Sequence, residues 1–177
     1  MSDAKAQSAC QGGSAYVCWD LAPWSVSDNL AYAYVAFNGA SCGTCFQIQF
    51  DGGTHNGKAD SCKTLSGKTM FVQVINVGGI GSGQFDVMIP GGGVGDFDAC
   101  TKQWGSSDLG ARYGGFLSAC NGDKSCVQDK CNTVFGSKPT LKAACNWFVD
   151  WYGAADNPTL KYQKVNCPSE LSAKSGM

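Results

Sequence analysis

No apolar run in the chain approaches the roughly 18 residues that a membrane-spanning helix needs. Charge is scarce as well. Asp, Glu, Lys and Arg make up 15% of 177 residues, and they nearly cancel to a net charge of −1. Such a chain offers no basic surface to nucleic acid or to an anionic membrane. Histidine occurs once, at His55. One CxxC pair exists, Cys42-Gly-Thr-Cys45, with no second pair to complete a zinc site. No βαβ pattern surrounds it, which argues against a thioredoxin-like redox motif. His55 has no acid or nucleophile at useful spacing and fits an exposed loop. Internal repeats, Ser/Thr/Pro linkers and low-complexity tails are absent. No secretory leader is legible either, and Met1 followed by polar residues looks like an incomplete start.

What the chain has in plenty is cysteine and glycine. Eleven cysteines are spread from Cys10 to Cys167, the pattern of a disulfide framework made in an oxidising compartment. The odd total leaves at least one thiol unpaired. There are 24 glycines, five Trp, six Tyr and nine Phe. A neutral, partly aromatic surface suits sugars, which present apolar CH faces and hydroxyls. At this length the chain forms one domain, residues 1–177.

Taken in order, residues 1–20 are polar and loop-like. Ser27, Asp28 and Asn29 resemble a helix cap, which predicts a helix over Leu30–Phe37 before Gly39. Its aromatics, Tyr32, Tyr34 and Phe37, would pack inside. Cys45–Phe50 alternates strictly and predicts a strand broken by Asp51-Gly52-Gly53. Residues 51–68 form a polar hairpin or loop. Phe71–Val77 is a buried strand. Residues 101–116 are a loop, and 117–145 hold short helical pieces. Trp147–Tyr152 and Leu160–Val165 alternate as strands. Trp24, Trp104 and Trp151 are core candidates. Short strands between Gly/Pro turns argue for a closed, mainly β architecture with a few helices.

The centre of the chain is FVQVINVGGIGSGQFDVMIPGGGVGDFDAC, Phe71 to Cys100. Here Asp86 stands between two glycine clusters. Glycine lets other groups approach the backbone closely, so a shaped surface around one acid is expected. The plainer alternative is a hairpin with a structural turn Asp.

That stretch resembles the core of glycoside hydrolase family 45, the small inverting endoglucanases. Further matching segments are GGSAYVCWDLAPWSVSDNLAYAY, CxxCFQIQF, RYGG, CNWFVDWYGAADNP and VNCPSELSAKSG, so the likeness runs from about Asp3 to Met177. It implies a six-stranded double-psi β-barrel with peripheral helices and disulfide-bonded loops, whose groove binds β-1,4-glucan. It puts the general acid on Asp86. Such an acid must keep its proton until the substrate arrives, and Phe85, Val87 and the glycine-rich walls would desolvate it. The family's usual N-terminal base strand lies upstream of where this chain begins, and the loop before the acid carries no second carboxylate. Asn76 is placed like the asparagine that one branch of the family uses as base; its plainer role is a strand-end amide tied to the glycine turn. Asp20, Asp96 and Asp98 are other acids near family motifs. Tyr113, Trp147 and Gln84 are the implied glucan contacts.

By resemblance Cys45 pairs with Cys167, and Cys145 with Cys120, Cys126 or Cys131. Cys10, Cys18, Cys42 and Cys100 would pair with cysteines upstream. The implied protein is secreted and monomeric, acts on β-1,4-glucan, carries no carbohydrate-binding module, and uses neither metal nor cofactor. Expansins, non-hydrolytic wall-loosening proteins, share a similar strand and acid in SCGTCFQI and QFD. A barwin-type lectin is a third, weaker reading.

Overall fold

A computed structural model describes residues 8, 10, 12–13, 21–55, 59–96 and 98–177. Asp20 and Cys18 lie outside the described residues. Strands β1 (Trp24–Ser27), β2 (Leu30–Ala36), β3 (Cys45–Thr54), β4 (Thr69–Asn76), β5 (Asp86–Val87) and β6 (Pro158–Val165) form one mixed sheet. Its order is β1-β2-β4-β3-β6, with β5 paired to β2. β2 and β4 run parallel, and the other pairs are antiparallel. Helices α1 (Ala59–Lys63), α2 (Ala99–Trp104), α3 (Gly115–Ala119), α4 (Lys124–Val134), α5 (Pro139–Asp150) and α6 (Ser169–Ser175) lie around the sheet.

The predicted helix over Leu30–Phe37 is a strand. Asp28 and Asn29 are the turn of a β1–β2 hairpin, with Trp24 opposite Tyr32. The same short polar side chains serve helix caps and tight turns. Period-two burial decides the outcome. Ala31, Ala33 and Val35 face one core cluster, while Tyr34 joins a second on the other side. The predicted strand over Trp147–Tyr152 is instead the end of α5 and the turn after it. Pro139 opens that helix, and Leu141, Ala144, Cys145 and Phe148 bury at helical spacing. Asp51–Gly53 does not end β3. The strand runs on to Thr54 through an irregular register against β6.

Among the described residues no ladder joins the two edges of the sheet. Side chains bring them together instead. Phe37, just after β2, stacks on Phe85, just before β5, at 4.2 Å. Tyr162 of β6 meets both rings edge-on, at 5.9 and 5.1 Å. The sheet therefore curls around one apolar cluster, which α2 to α5 cover from outside through Trp104, Phe116, Phe135 and Leu141. The second cluster is capped by α6. There Tyr34 donates its hydroxyl to Leu171 O at 2.9 Å, and burial pushes its pKa to about 12. The buried Gln73 accepts from Ser175 Oγ at 2.6 Å and donates to Met177 O at 3.2 Å. These bonds pin the C-terminal segment to the middle of β4.

Disulfides join Cys10 to Cys42, Cys45 to Cys167, Cys120 to Cys126 and Cys131 to Cys145. Cys100 is also disulfide-bonded. The expectation that Cys10 and Cys42 bond upstream is therefore corrected: they bond to each other. Cys42 and Cys45 belong to separate bridges, so the CxxC pair is no metal site. Cys62 is a free, buried thiol whose Sγ lies 3.4 Å from Asp156 O. A thiol reagent is expected to leave Cys62 unlabelled in the native protein and to label it after denaturation without reductant. Peptide mapping of the labelled chain checks this, and labelling of the native protein would contradict it.

Candidate active site

Two neighbours of Ala36 define the site. On one side β2 places Ala36 opposite Asn76 of β4; on the other it places Ala36 opposite Asp86 of β5. Residues opposite one another across a sheet point to the same face. Asn76, Ala36 and Asp86 thus form one short row, with the small, buried Ala36 in the middle. Two strand spacings put about 9–10 Å between the outer backbones. The β2–β4 register shifts between Val35 and Ala36. This irregularity brings Asn76 into the row, as bulges commonly re-aim a side chain beside a functional site.

Asp86 is half-buried. Its Oδ1 accepts a hydrogen bond from Gln84 Nε2 at 2.8 Å, and no backbone amide ties it among the described residues. Val87 lies opposite Val35, and both Phe85 and Val87 pack against the apolar core. Alternation then turns Asp86 to the opposite face. Phe85 and Val87 are therefore anchors, not the desolvating walls that the sequence suggested. Asn76 is 9% exposed. Its Oδ1 accepts from Val77 N–H at 3.0 Å, and its carbonyl accepts from Phe37 N–H at 3.1 Å. The amide is held at the mouth of the glycine turn.

The two glycine runs flanking Asp86 differ. Side chains added at Gly78, Gly79 or Gly83 would meet open space. The run Gly91–Gly93 is packed. A Cβ at Gly91 would strike the Phe116 ring, and one at Gly93 would strike Arg112 O. The sequence did not distinguish them; only the contact with RYGG does. Phe116 N–H donates to Gly91 O at 2.8 Å, Val94 and Gly95 N–H both donate to Arg112 O at 3.0 Å, and Gly93 pairs with Tyr113. The loop after Asp86 is thus zipped to the loop before α3. Gly115 has φ +49°, and a Cβ there would collide with Gly91 O and Gly93 N. Gly115→Ala is expected to destabilise the fold by about 2–4 kcal/mol, from overpacking plus left-handed backbone strain. A urea titration checks it; an unchanged midpoint would contradict the close approach.

The remaining sequence candidates separate. Tyr113 is exposed and Gln84 is exposed beside Asp86. Trp147 does not offer an open face. It is 5% exposed and stacks on Trp151 at 5.3 Å, because α5 turns it inward. Asp96 binds Arg112 and the Tyr113 hydroxyl. Asp98 caps α2 through Thr101 N–H at 3.2 Å. Trp104 and Trp151 are buried, Trp24 is half-buried against Tyr32, and His55 is exposed. The Asp96–Arg112 partnership went unread because its members are 16 residues apart; the only signal was that both sit beside glycine motifs.

The family model for glycosyl hydrolase family 45 matches residues 1–177. Endoglucanase B of Cellvibrio japonicus (strain Ueda107) is 48% identical over 194 aligned residues, which take in 100% of this chain and 38% of that protein. An endoglucanase of Cryptopygus antarcticus is 38% identical over 183 residues, 98% of this chain and 71% of that one. The crystal structure of a cellulase from the same Antarctic springtail superposes with a TM-score of 0.70 at 38% identity, covering 94% of this chain and 74% of that chain. The chain thus spans well under half of the Cellvibrio protein and about seven tenths of the springtail one. On its sequence over its whole length, and on its fold, the chain belongs to glycosyl hydrolase family 45.

Proposed function

We propose that the chain is a secreted, monomeric endo-β-1,4-glucanase that cleaves internal β-1,4-glucosidic bonds with inversion, on a six-stranded double-psi β-barrel. Asp86 gives its proton to the departing glucosyl oxygen as the bond from the anomeric carbon breaks. Water attacks that carbon from the opposite face, and its proton passes to a base. Asn76 is the candidate for that base, in its imidic acid form whose nitrogen has a free lone pair to accept the proton, or for the group that orients the water. Inverting enzymes keep the two groups roughly 6.5–9.5 Å apart, with room for water between them. The observation that carries this reading is the row Asn76–Ala36–Asp86, with a half-open carboxylate at one end. Gln84 occupies Asp86 Oδ1, so the proton to be donated belongs on Oδ2. Endoglucanase relatives support the substrate class. The four described disulfides support an oxidising, extracellular setting. Among the described residues no helix is long and apolar enough to cross a membrane.

A second reading, glucan binding without hydrolysis, is favoured by one observation. Asp96 and Asp98 are both committed to local partners, which among the described residues leaves Asp86 with an amide rather than a carboxylate across the row. Reducing-end release from soluble β-glucan separates the two. Release that disappears in Asp86→Ala supports the glucanase. No release from the folded chain, with or without the substitution, supports the binding protein.

A further inference from the structure

Tyr113 is 64% exposed, yet its ring is not free to turn. Its hydroxyl donates to Asp96 Oδ1 at 2.6 Å. The same oxygen accepts from Arg112 Nη2 at 2.7 Å, and the guanidinium carbon lies 5.5 Å from the centre of the Tyr113 ring. Arg112 is itself fixed by backbone. Its Nε donates to Gly95 O at 3.1 Å and its Nη2 to Asp96 O at 3.3 Å. Underneath, the two loops are joined by the main-chain bonds from Val94 and Gly95 to Arg112 O and by the Gly93–Tyr113 bridge.

The Arg112–Asp96 pair is open to water, with side chains 56% and 64% exposed. Exposed ion pairs of this kind add little to stability. What this one does is hold an aromatic ring still in solvent. A ring already fixed loses less rotamer freedom when a ligand lands on it, so more of the contact energy appears as affinity.

We propose that Asp96 is a positioning residue for glucan: through Tyr113 and Arg112 it presents a preset ring to a glucosyl unit bound away from Asp86. The proposal rests on the β-glucan reading above. Two further features fit it. A pocket of about 380 Å³ beside the clamp is lined by Val94, Asp96, Asp98, Ser107, Leu109 and Arg112. It falls within the usual range of ligand sites, and its mixed apolar and hydroxyl-binding wall suits a sugar. Gly93, the partner of Tyr113, follows Asp86 by seven residues, so the backbones of Tyr113 and Asp86 lie at most about 25 Å plus one strand spacing apart. One glucan chain can reach both. The bond to Asp96 also raises the Tyr113 hydroxyl above its usual pKa, so the donor persists through neutral pH.

The test is calorimetric titration of cellohexaose into the Asp86→Ala chain, which is expected not to consume it. Adding Asp96→Ala or Tyr113→Phe is expected to weaken binding about threefold to tenfold, the value of one lost hydrogen bond. Asp96→Asn keeps an acceptor oxygen and is expected to stay within about twofold of the parent. With Asp86 intact, Asp96→Ala should raise KM by the same factor and leave kcat unchanged. Equal affinity in Asp96→Ala and its parent would overturn the positioning role, as would a fall in kcat at constant KM. A large fall in Tm for Asp96→Ala would also overturn it, by making the residue structural. A parent that binds no cellohexaose overturns the glucan reading itself, which is a different result.

Discussion

Asp86→Ala is expected to lower kcat on soluble β-glucan by about 10²- to 10⁴-fold, the usual contribution of a positioned general acid. KM should change little, because the proton is needed in the transition state and not for binding. The fold should survive the substitution. Asp86 is half-buried, and its carboxylate's hydrogen bond runs to the exposed Gln84. Its neighbours Phe85 and Val87 hold β5 to the core without it. A Tm close to that of the parent, alongside the lost turnover, separates lost chemistry from lost structure. If Asp86 were only a turn acid, turnover would persist.

The second large effect concerns stability. Cys45 and Cys167 close a loop with a sequence separation of 122 and join the start of β3 to the segment after β6. Replacing both by alanine releases the longest loop closed by the four described bridges. Chain-entropy estimates put the loss at about 4–5 kcal/mol for loops of this size. Domains are stable by only about 5–15 kcal/mol, so a large fraction would go. At about 2–4 °C per kcal/mol for a chain of this length, Tm should fall by roughly 10–15 °C. Cys45 is 1% exposed, so a small void adds to the loss. Thermal unfolding followed by circular dichroism checks it. A shift under about 3 °C would show that Gln73 and α6 hold the C-terminal segment without the bridge.

Part of the candidate site was legible before the fold was known. The run around Asp86 carries its glycines and its acid in sequence, and the strand ending at Asn76 is plain from its branched alternation. The fold was less legible in two places. At Ser27–Asn29, helix-cap and hairpin-turn chemistry coincide, and only pairing with β1 selects the turn. At Trp147–Tyr152, a six-residue window shows alternation, whereas the helical spacing emerges only from Leu141 onward. Relations between distant segments were not legible at all. The placing of Asn76 and Asp86 on either side of Ala36 depends on two ladders and one register shift. The fit of Gly115 against Gly91 and Gly93 is a contact between loops more than 20 residues apart. The bond between Cys10 and Cys42 ran against the expectation by resemblance, because spacing alone does not determine connectivity.

The role of Asp86 is tested most directly by changing the leaving group. An aryl β-glycoside of a cello-oligosaccharide with an acidic phenol departs without help from a proton donor. Asp86→Ala is expected to lose turnover deeply on soluble β-glucan and to turn over the aryl substrate at a near-normal rate. An equally deep loss on both substrates would contradict Asp86 as the acid.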